Sequence, residues 1–138
     1  YLLLEQARFG ERLTVKLRVD PEVLSVRIPF LCIQPLVENA VRHGLEDRDS
    51  PGTVSITAVE RGGDCWISVE DDGVGNDPDV IRRSLSGEPG DHVGMANVDE
   101  RLRRAFGDDH GLVVETAPMA GTKVTMRVPK YAEGVVDE

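Results

Sequence analysis

Asn39 and His43 stand one helical turn apart in the stretch LVENAVRHG (Leu36–Gly44), with Glu38 and Arg42 beside them. At offsets i, i+3 and i+4, Asn39, Arg42 and His43 share one face of a helix. An Asn amide oxygen is a hard ligand suited to Mg²⁺, which takes few protein ligands and keeps the phosphates of its substrate. Arg42 or His43 can meet phosphate oxygens. The competing reading is a solvated helix edge that ends in a His.

Three further groups follow in chain order. DDGVG (Asp71–Gly75) closes an alternating strand. Its two glycines, Gly73 and Gly75, open a backbone path closed to residues with a Cβ and let the chain approach a flat ligand. A carboxylate at that strand end can accept from an exocyclic amine, or the stretch is a plain Asp-Gly turn. In HVGMANVDERL (His92–Leu102), a polar loop leads through Gly94 into a helix whose free N–H groups and positive dipole end suit phosphate. An ordinary loop with glycine before a helix reads the same way. AGTKV places Gly121 and Thr122 at the tip of a last hairpin, a motif with little specificity of its own.

These groups need a scaffold. Leu36, Val37, Ala40 and Val41 form the apolar stripe that packs the first helix on a sheet. Pro29 can open that helix and Gly44 can stop it, while Pro35 inside it marks a kink or the true first turn. Leu13, Val15, Leu17 and Val19 alternate with polar residues as in a half-buried strand. GTVSITAVE and CWISVEDD read as a hairpin joined by Arg61-Gly62-Gly63-Asp64. A short helix follows from about Asp79 to Leu85, a long one over VGMANVDERLRRAF to Gly107, and GLVVETA and TKVTMRVP close as a hairpin. His110 in GDDHG reads as a turn residue. Hairpins interrupted by separate helices indicate an α+β two-layer sandwich, helices on one sheet face and the other face more polar.

Composition narrows the function. The 138 residues suit one domain, burying roughly two thirds of the unfolded surface. A hydrophobic share of 40% with 30% charged residues reads as globular. A formal net charge of −9 without a basic stripe argues against a nucleic-acid partner. Cys32 and Cys65 belong to no Cys/His cluster and read as two buried thiols in a reducing compartment. The chain opens in mid-helix pattern without an initiator Met and reads as a piece of a longer protein.

The order of the four groups resembles the N, G1, G2 and G3 boxes of the GHKL, or Bergerat-fold, ATP-binding superfamily. IQPLVENAVRHG, VEDDGVG, VGMANVDERL and AGTKVTMRVP are similar to the catalytic ATP-binding domain of LytS/YehU-type sensor histidine kinases, from about Tyr1 to Pro129. The resemblance implies a mixed, mostly antiparallel sheet covered by helices on one face. It implies residues 1–10 as the end of a linker helix, 11–130 as the ATP-binding domain and 131–138 as a flexible tail. ATP and Mg²⁺ are the implied cofactors. Asn39 is then the metal-binding Asn, Arg42 and His43 lie near the phosphates, and Glu38 supports the site; Glu38, Asn39 and His43 form the implied catalytic set. Asp71 recognises the adenine amine, Gly73 and Gly75 shape the adenine pocket, and Thr122 supports Asp71. Gly94 marks the phosphate end of the lid, with Met95 and Asn97 following it in the nucleotide-binding set. The chain departs from the family at His92-Val93-Gly94, where many members carry Gly-x-Gly, and at Asn76, where an aliphatic residue is more usual.

Gyrase- and MutL-like relatives activate water with a Glu one turn before the metal-binding Asn. Here that position is Pro35, which has no proton acceptor. Glu38 lies about 100° round the helix from Asn39 and is a poor substitute. Phosphotransfer needs no such base, so the expectation is a histidine kinase fragment whose acceptor His stands upstream. Its implied partners are an upstream dimerising phosphoacceptor domain and a response regulator, within a homodimeric, membrane-anchored sensor whose cytoplasmic portion this is. An anti-sigma-factor-like kinase or a nucleotide-binding module without catalysis are the alternatives.

Overall fold

The computed structural model describes residues 13–21, 30–45, 52–86 and 93–129. The expected linker helix at 1–10, the tail at 131–138 and His92 lie outside these residues.

Among the described residues, alternation and helical periodicity resolve into five strands and three principal helices. β1 is Leu13–Val19, β2 Gly52–Arg61, β3 Asp64–Asp71, β4 Val113–Thr116 and β5 Thr122–Pro129. α1 spans Phe30–Asn39 and continues with π winding over Ala40–Leu45; α2 is Pro78–Leu85 and α3 is Val93–Phe106. The sheet order is β1-β2-β3-β5-β4. β1 pairs parallel with β2 because α1 carries the chain back between them, and the remaining pairs are antiparallel. Consecutive hairpins therefore describe β2–β3 and β4–β5 but not β1–β2. The mixed, mostly antiparallel sheet of the expected α+β sandwich is what the chain forms.

The α1 stripe is fully committed to the core: Leu36 is 0% exposed, Val41 1%, Ala40 2% and Val37 3%. Met95, Val98 and Leu102 bury the facing side of α3, and Ile81 that of α2. From the sheet, Val54, Cys65, Ile67, Val69, Val124, Met126 and Val128 complete one cluster. At α2, the Asp77 carboxylate accepts from the Asp79 N–H (2.9 Å) and Pro78 sits in the first turn, so the helix start is capped as its sequence dictates.

Two expectations change. Pro35 is not the first turn of α1; it lies inside the α-wound stretch, as a kinking proline would. The winding loosens only at Ala40–Leu45. β1 is half-buried only at its start. Leu13 is buried, but Leu17 is 69% and Val19 41% exposed, because β1 is an edge strand and the main helix contacts fall on β2, β3, β4 and β5.

Candidate nucleotide site

In EDD, sequence position decides which carboxylate enters the protein. Asp71 has the same parity on β3 as Cys65, Ile67 and Val69, so it points into the helical layer and is 5% exposed. Its Oδ1 accepts from the Gly73 N–H at 2.8 Å. Asp72 points away; its Oδ1 accepts from the Thr53 N–H (2.9 Å) and extends the β2–β3 ladder. Register then aligns Val54, Asp71, Thr122 and Thr116 in one row across four strands. The row is apolar at one end and hydroxyl-bearing at the other.

The loop after β3 is locked to the β4–β5 hairpin. Gly75 has φ +66°, and a Cβ there would lie 1.9 Å from the Ala117 carbonyl oxygen. Gly121 has φ +79°, and a Cβ there would lie 2.3 Å from the Asp71 carbonyl oxygen. Both positions therefore require glycine. The Met119 N–H donates to the Val74 carbonyl (2.6 Å) and the Asn76 N–H to Thr116 Oγ1 (3.0 Å). Thr116 Oγ1 also lies 3.0 Å from the Gly121 carbonyl and 2.9 Å from Thr122 Oγ1. Asn76, unusual by family pattern, accepts from the Asp77 N–H through its side chain (2.8 Å) and leads into the α2 cap.

A second group lies where α1 crosses α3. Gly94 faces Pro35 at ordinary contact distance; a Cβ on Gly94 would lie 3.5 Å from the proline Cβ. Beside this crossing, Gln34, Glu38, Asn97 and Arg101 line a cleft of about 240 Å³. Gln34 Nε2 donates to Glu38 Oε1 at 3.0 Å. Asn39 is half-buried at the end of the α-wound stretch, and Arg42 is exposed. A turn closed by i→i+5 bonds holds more residues than an α turn. A three-residue step from Asn39 then no longer returns to the same face, which accounts for Arg42 standing apart. The His43 side chain lies outside the described residues, while its backbone belongs to the π-wound segment. Met95 is 1% exposed and packs in the core cluster.

Glu38 and Asn97 thus meet in one cleft, whereas Asp71, Gly73, Gly75 and Thr122 form the sheet-end group. Asn39 ends the α-wound stretch of the helix whose Gln34, Pro35 and Glu38 line that cleft. A wider cavity of about 600 Å³ opens beside the same sheet end, but Lys16, Ser55, Glu70 and Lys123 in its lining belong to the open sheet face. That face carries an alternating row, Lys16–Ser55–Glu70–Lys123–Glu115, the pattern of a solvated surface. The Asp71 side chain points the other way.

Two residues escaped the sequence reading. Thr116 was part of a nondescript strand. Asp99, 6% exposed within α3, accepts from the Leu112 N–H (2.8 Å) and from Arg103 Nε (3.1 Å), and Arg103 Nη1 reaches the Asp108 carbonyl (2.8 Å). This network ties the end of α3 to the start of β4; the i, i+4 spacing of Asp99 and Arg103 was its available signal. His110 is the expected turn residue, in the short turn Asp108–His110, with Nδ1 2.7 Å from the Arg127 carbonyl.

Residues 24–132 match the family described as histidine kinase-, DNA gyrase B- and HSP90-like ATPases, and the chain belongs to it. It is 40% identical to the sensor histidine kinase YpdA of Escherichia coli, over 100% of this chain and 24% of that protein. It is 30% identical to the sensor protein LytS of Bacillus subtilis, over 98% of this chain and 25% of that protein. The chain therefore spans about a quarter of the length of these relatives. Among solved structures it resembles the catalytic domain of histidine kinase ThkA (TM-score 0.68, 20% identity, 96% of this chain and 88% of that one). It also resembles the histidine kinase domain of the Erythrobacter litoralis EL346 blue-light activated kinase (TM-score 0.66, 20% identity, 93% and 56%). Both likenesses bear on the fold, which is that of histidine kinase catalytic domains. No helix among the described residues is long and apolar enough to cross a membrane.

Proposed function

We propose that this chain is the ATP-binding catalytic domain of a two-component sensor histidine kinase, presenting the ATP γ-phosphate to a histidine in an upstream helical domain. The observation that carries this reading is the buried Asp71 carboxylate at the end of β3, beside a loop that glycine alone can form. An ionised carboxylate only accepts hydrogen bonds, so it suits the 6-amino group of adenine. Gly73 and Gly75 shape the pocket around the ring, and Thr122 stands next to Asp71 in the row. Gly94, Met95 and Asn97 open α3, whose N-terminal end favours phosphate. Arg42, exposed and turned from the Asn39 face by the π winding, would reach a phosphate only from beside that face; His43 keeps its phosphate role from the resemblance alone.

The donor set fits Mg²⁺ held mainly by nucleotide. Among the described residues no three His, Cys, Asp or Glu side chains gather as a cation cage. One Asn oxygen, that of Asn39, plus phosphate oxygens is the arrangement Mg²⁺ prefers over an all-protein site. When bound, it neutralises charge on the phosphate oxygens. Glu38, held by Gln34, supports this wall of the site. In the transfer, an imidazole nitrogen of the acceptor histidine bonds to the γ-phosphorus while the bond to the bridging oxygen breaks, and ADP leaves. Pro35 offers no base at the position from which gyrase-like relatives activate water.

Residues 11–130 form the catalytic unit in this reading, with 1–10 leading from the dimerising region. The parent protein is a homodimeric, membrane-anchored sensor with this part in the cytoplasm and a response regulator as its downstream partner. One solved likeness is histidine kinase ThkA in complex with the response regulator TrrA (TM-score 0.71, 18% identity, 98% of this chain and 39% of that one). The test is incubation with γ-labelled ATP and Mg²⁺, with and without the upstream acceptor segment. Slow phosphate release alone, and labelled histidine when the segment is supplied, are expected. Brisk hydrolysis by the chain alone points instead to an ATPase. Confirmed ATP binding without labelled histidine points to a nucleotide-binding module.

A further inference from the structure

Thr116 is the meeting point of three polar groups, and its single proton decides how they are arranged. Its Oγ1 lies 3.0 Å from the Gly121 carbonyl oxygen, 3.0 Å from the Asn76 nitrogen and 2.9 Å from Thr122 Oγ1. A carbonyl oxygen has no proton, so Thr116 must donate there. A backbone amide has no acceptor, so Thr116 must accept from Asn76. One lone pair of the Thr116 oxygen then remains, and Thr122 can satisfy it only by donating its own hydroxyl proton.

We propose that Thr116 is a positioning residue for base recognition: it draws the Thr122 proton towards β4, so that Thr122 turns only lone pairs to the pocket beside Asp71. This rests on the nucleotide reading above. Thr122 and Asp71 are register partners on β5 and β3, and an ionised Asp71 is also acceptor-only. The sheet-end row therefore offers acceptors alone. It fits a purine carrying a 6-amino group, whose hydrogens these oxygens take, and it opposes a 6-carbonyl, whose lone pairs would face theirs. Without the Thr116 hydroxyl, the Thr122 proton is released from β4 and can turn into the pocket, where it would welcome a carbonyl.

The experiment is calorimetric titration of the 138-residue chain with ADP and with IDP, which carries a 6-carbonyl and an N1–H where adenine has a 6-amino group and a bare N1. Thr116→Val, near in shape but without the hydroxyl, should reduce the preference for ADP over IDP roughly tenfold, the scale of one hydrogen bond. Thr116→Ser keeps the proton count and should retain the preference of the parent. If the valine variant does not fold, Thr116→Ala carries the same expectation. A residue that only braced the hairpin would weaken both nucleotides by one factor, and an unchanged ratio in a folded variant would overturn the proposal alone. A parent chain that binds neither nucleotide would overturn the nucleotide reading and this inference with it.

Discussion

Gly121 packs directly on the backbone of Asp71, so close that an added Cβ would lie 2.3 Å from the Asp71 carbonyl oxygen. The hairpin tip and the strand end therefore move together. Gly121→Ala should destabilise the chain by about 2–5 kcal/mol, combining strain at positive φ with overpacking. Nucleotide affinity should fall with it. Gly62→Ala is the control: its φ is +62°, but nothing lies within 4 Å of the added Cβ. There only backbone strain of about 1 kcal/mol applies. Thermal unfolding of both variants decides the matter, and equal losses would show that the contact with Asp71 is unimportant.

Asp71→Asn should remove most adenine-nucleotide affinity and leave the fold intact. The amide can turn a donor towards the adenine amine, and a mispaired buried group costs roughly 1–3 kcal/mol, about 5- to 150-fold in Kd. Titration with ADP, beside circular dichroism of the variant, is the check. Undiminished affinity would take Asp71 out of base recognition.

Asn39→Ala separates metal from nucleotide. Its half-buried place on α1 suits an amide oxygen completing a Mg²⁺ shell. ATP binding in the presence of Mg²⁺ should therefore weaken more than ADP binding in EDTA. Equal losses in the two conditions would make the residue structural.

Cys65 supplies a pH prediction. Its side chain is 0% exposed, and burial first, then the charge of Glu60, pushes the thiol pKa up. A raised folded-state pKa means that the unfolded chain releases its proton first as pH rises. The unfolded state then binds fewer protons, and stability falls with increasing pH above the ordinary thiol value of about 8.5. In a Cys32→Ser background, alkylation of Cys65 at pH 8 should proceed only as fast as the chain opens. Labelling at the rate of a free thiol would show that the site is not sealed.

Much of this was legible in the sequence, for identifiable reasons. The α1 stripe and the alternation of β3 are periodic signals, so Leu36 to Val41 and the inward parity of Asp71 follow from counting residues. The glycines at 73, 75 and 121 were visible as permissive positions. What stayed hidden depends on pairing between distant segments. That Gly75 abuts Ala117, or that Thr116 serves Asn76, Gly121 and Thr122 at once, requires the order β3-β5-β4, which no local pattern encodes. The edge position of β1 was hidden for the same reason, since Leu17 and Val19 alternate like buried residues. Loosened winding after Asn39 likewise depends on tertiary packing, and with it the separation of Arg42 from the Asn39 face.

The row Val54–Asp71–Thr122–Thr116 draws one residue from each of four strands, and none of them is adjacent in the chain to the next. A slip of one position between β3 and β5 would turn the carboxylate to the opposite face while conserving the amount of sheet. Ligand binding is in this respect a proofreader of strand alignment. Any compound gripped by the aligned row adds its binding energy only to the correctly threaded chain, about 2.7 kcal/mol at a hundredfold excess over Kd. If the row holds adenine as proposed, adenine nucleotide added during refolding should discriminate among alignments that backbone spectroscopy cannot tell apart.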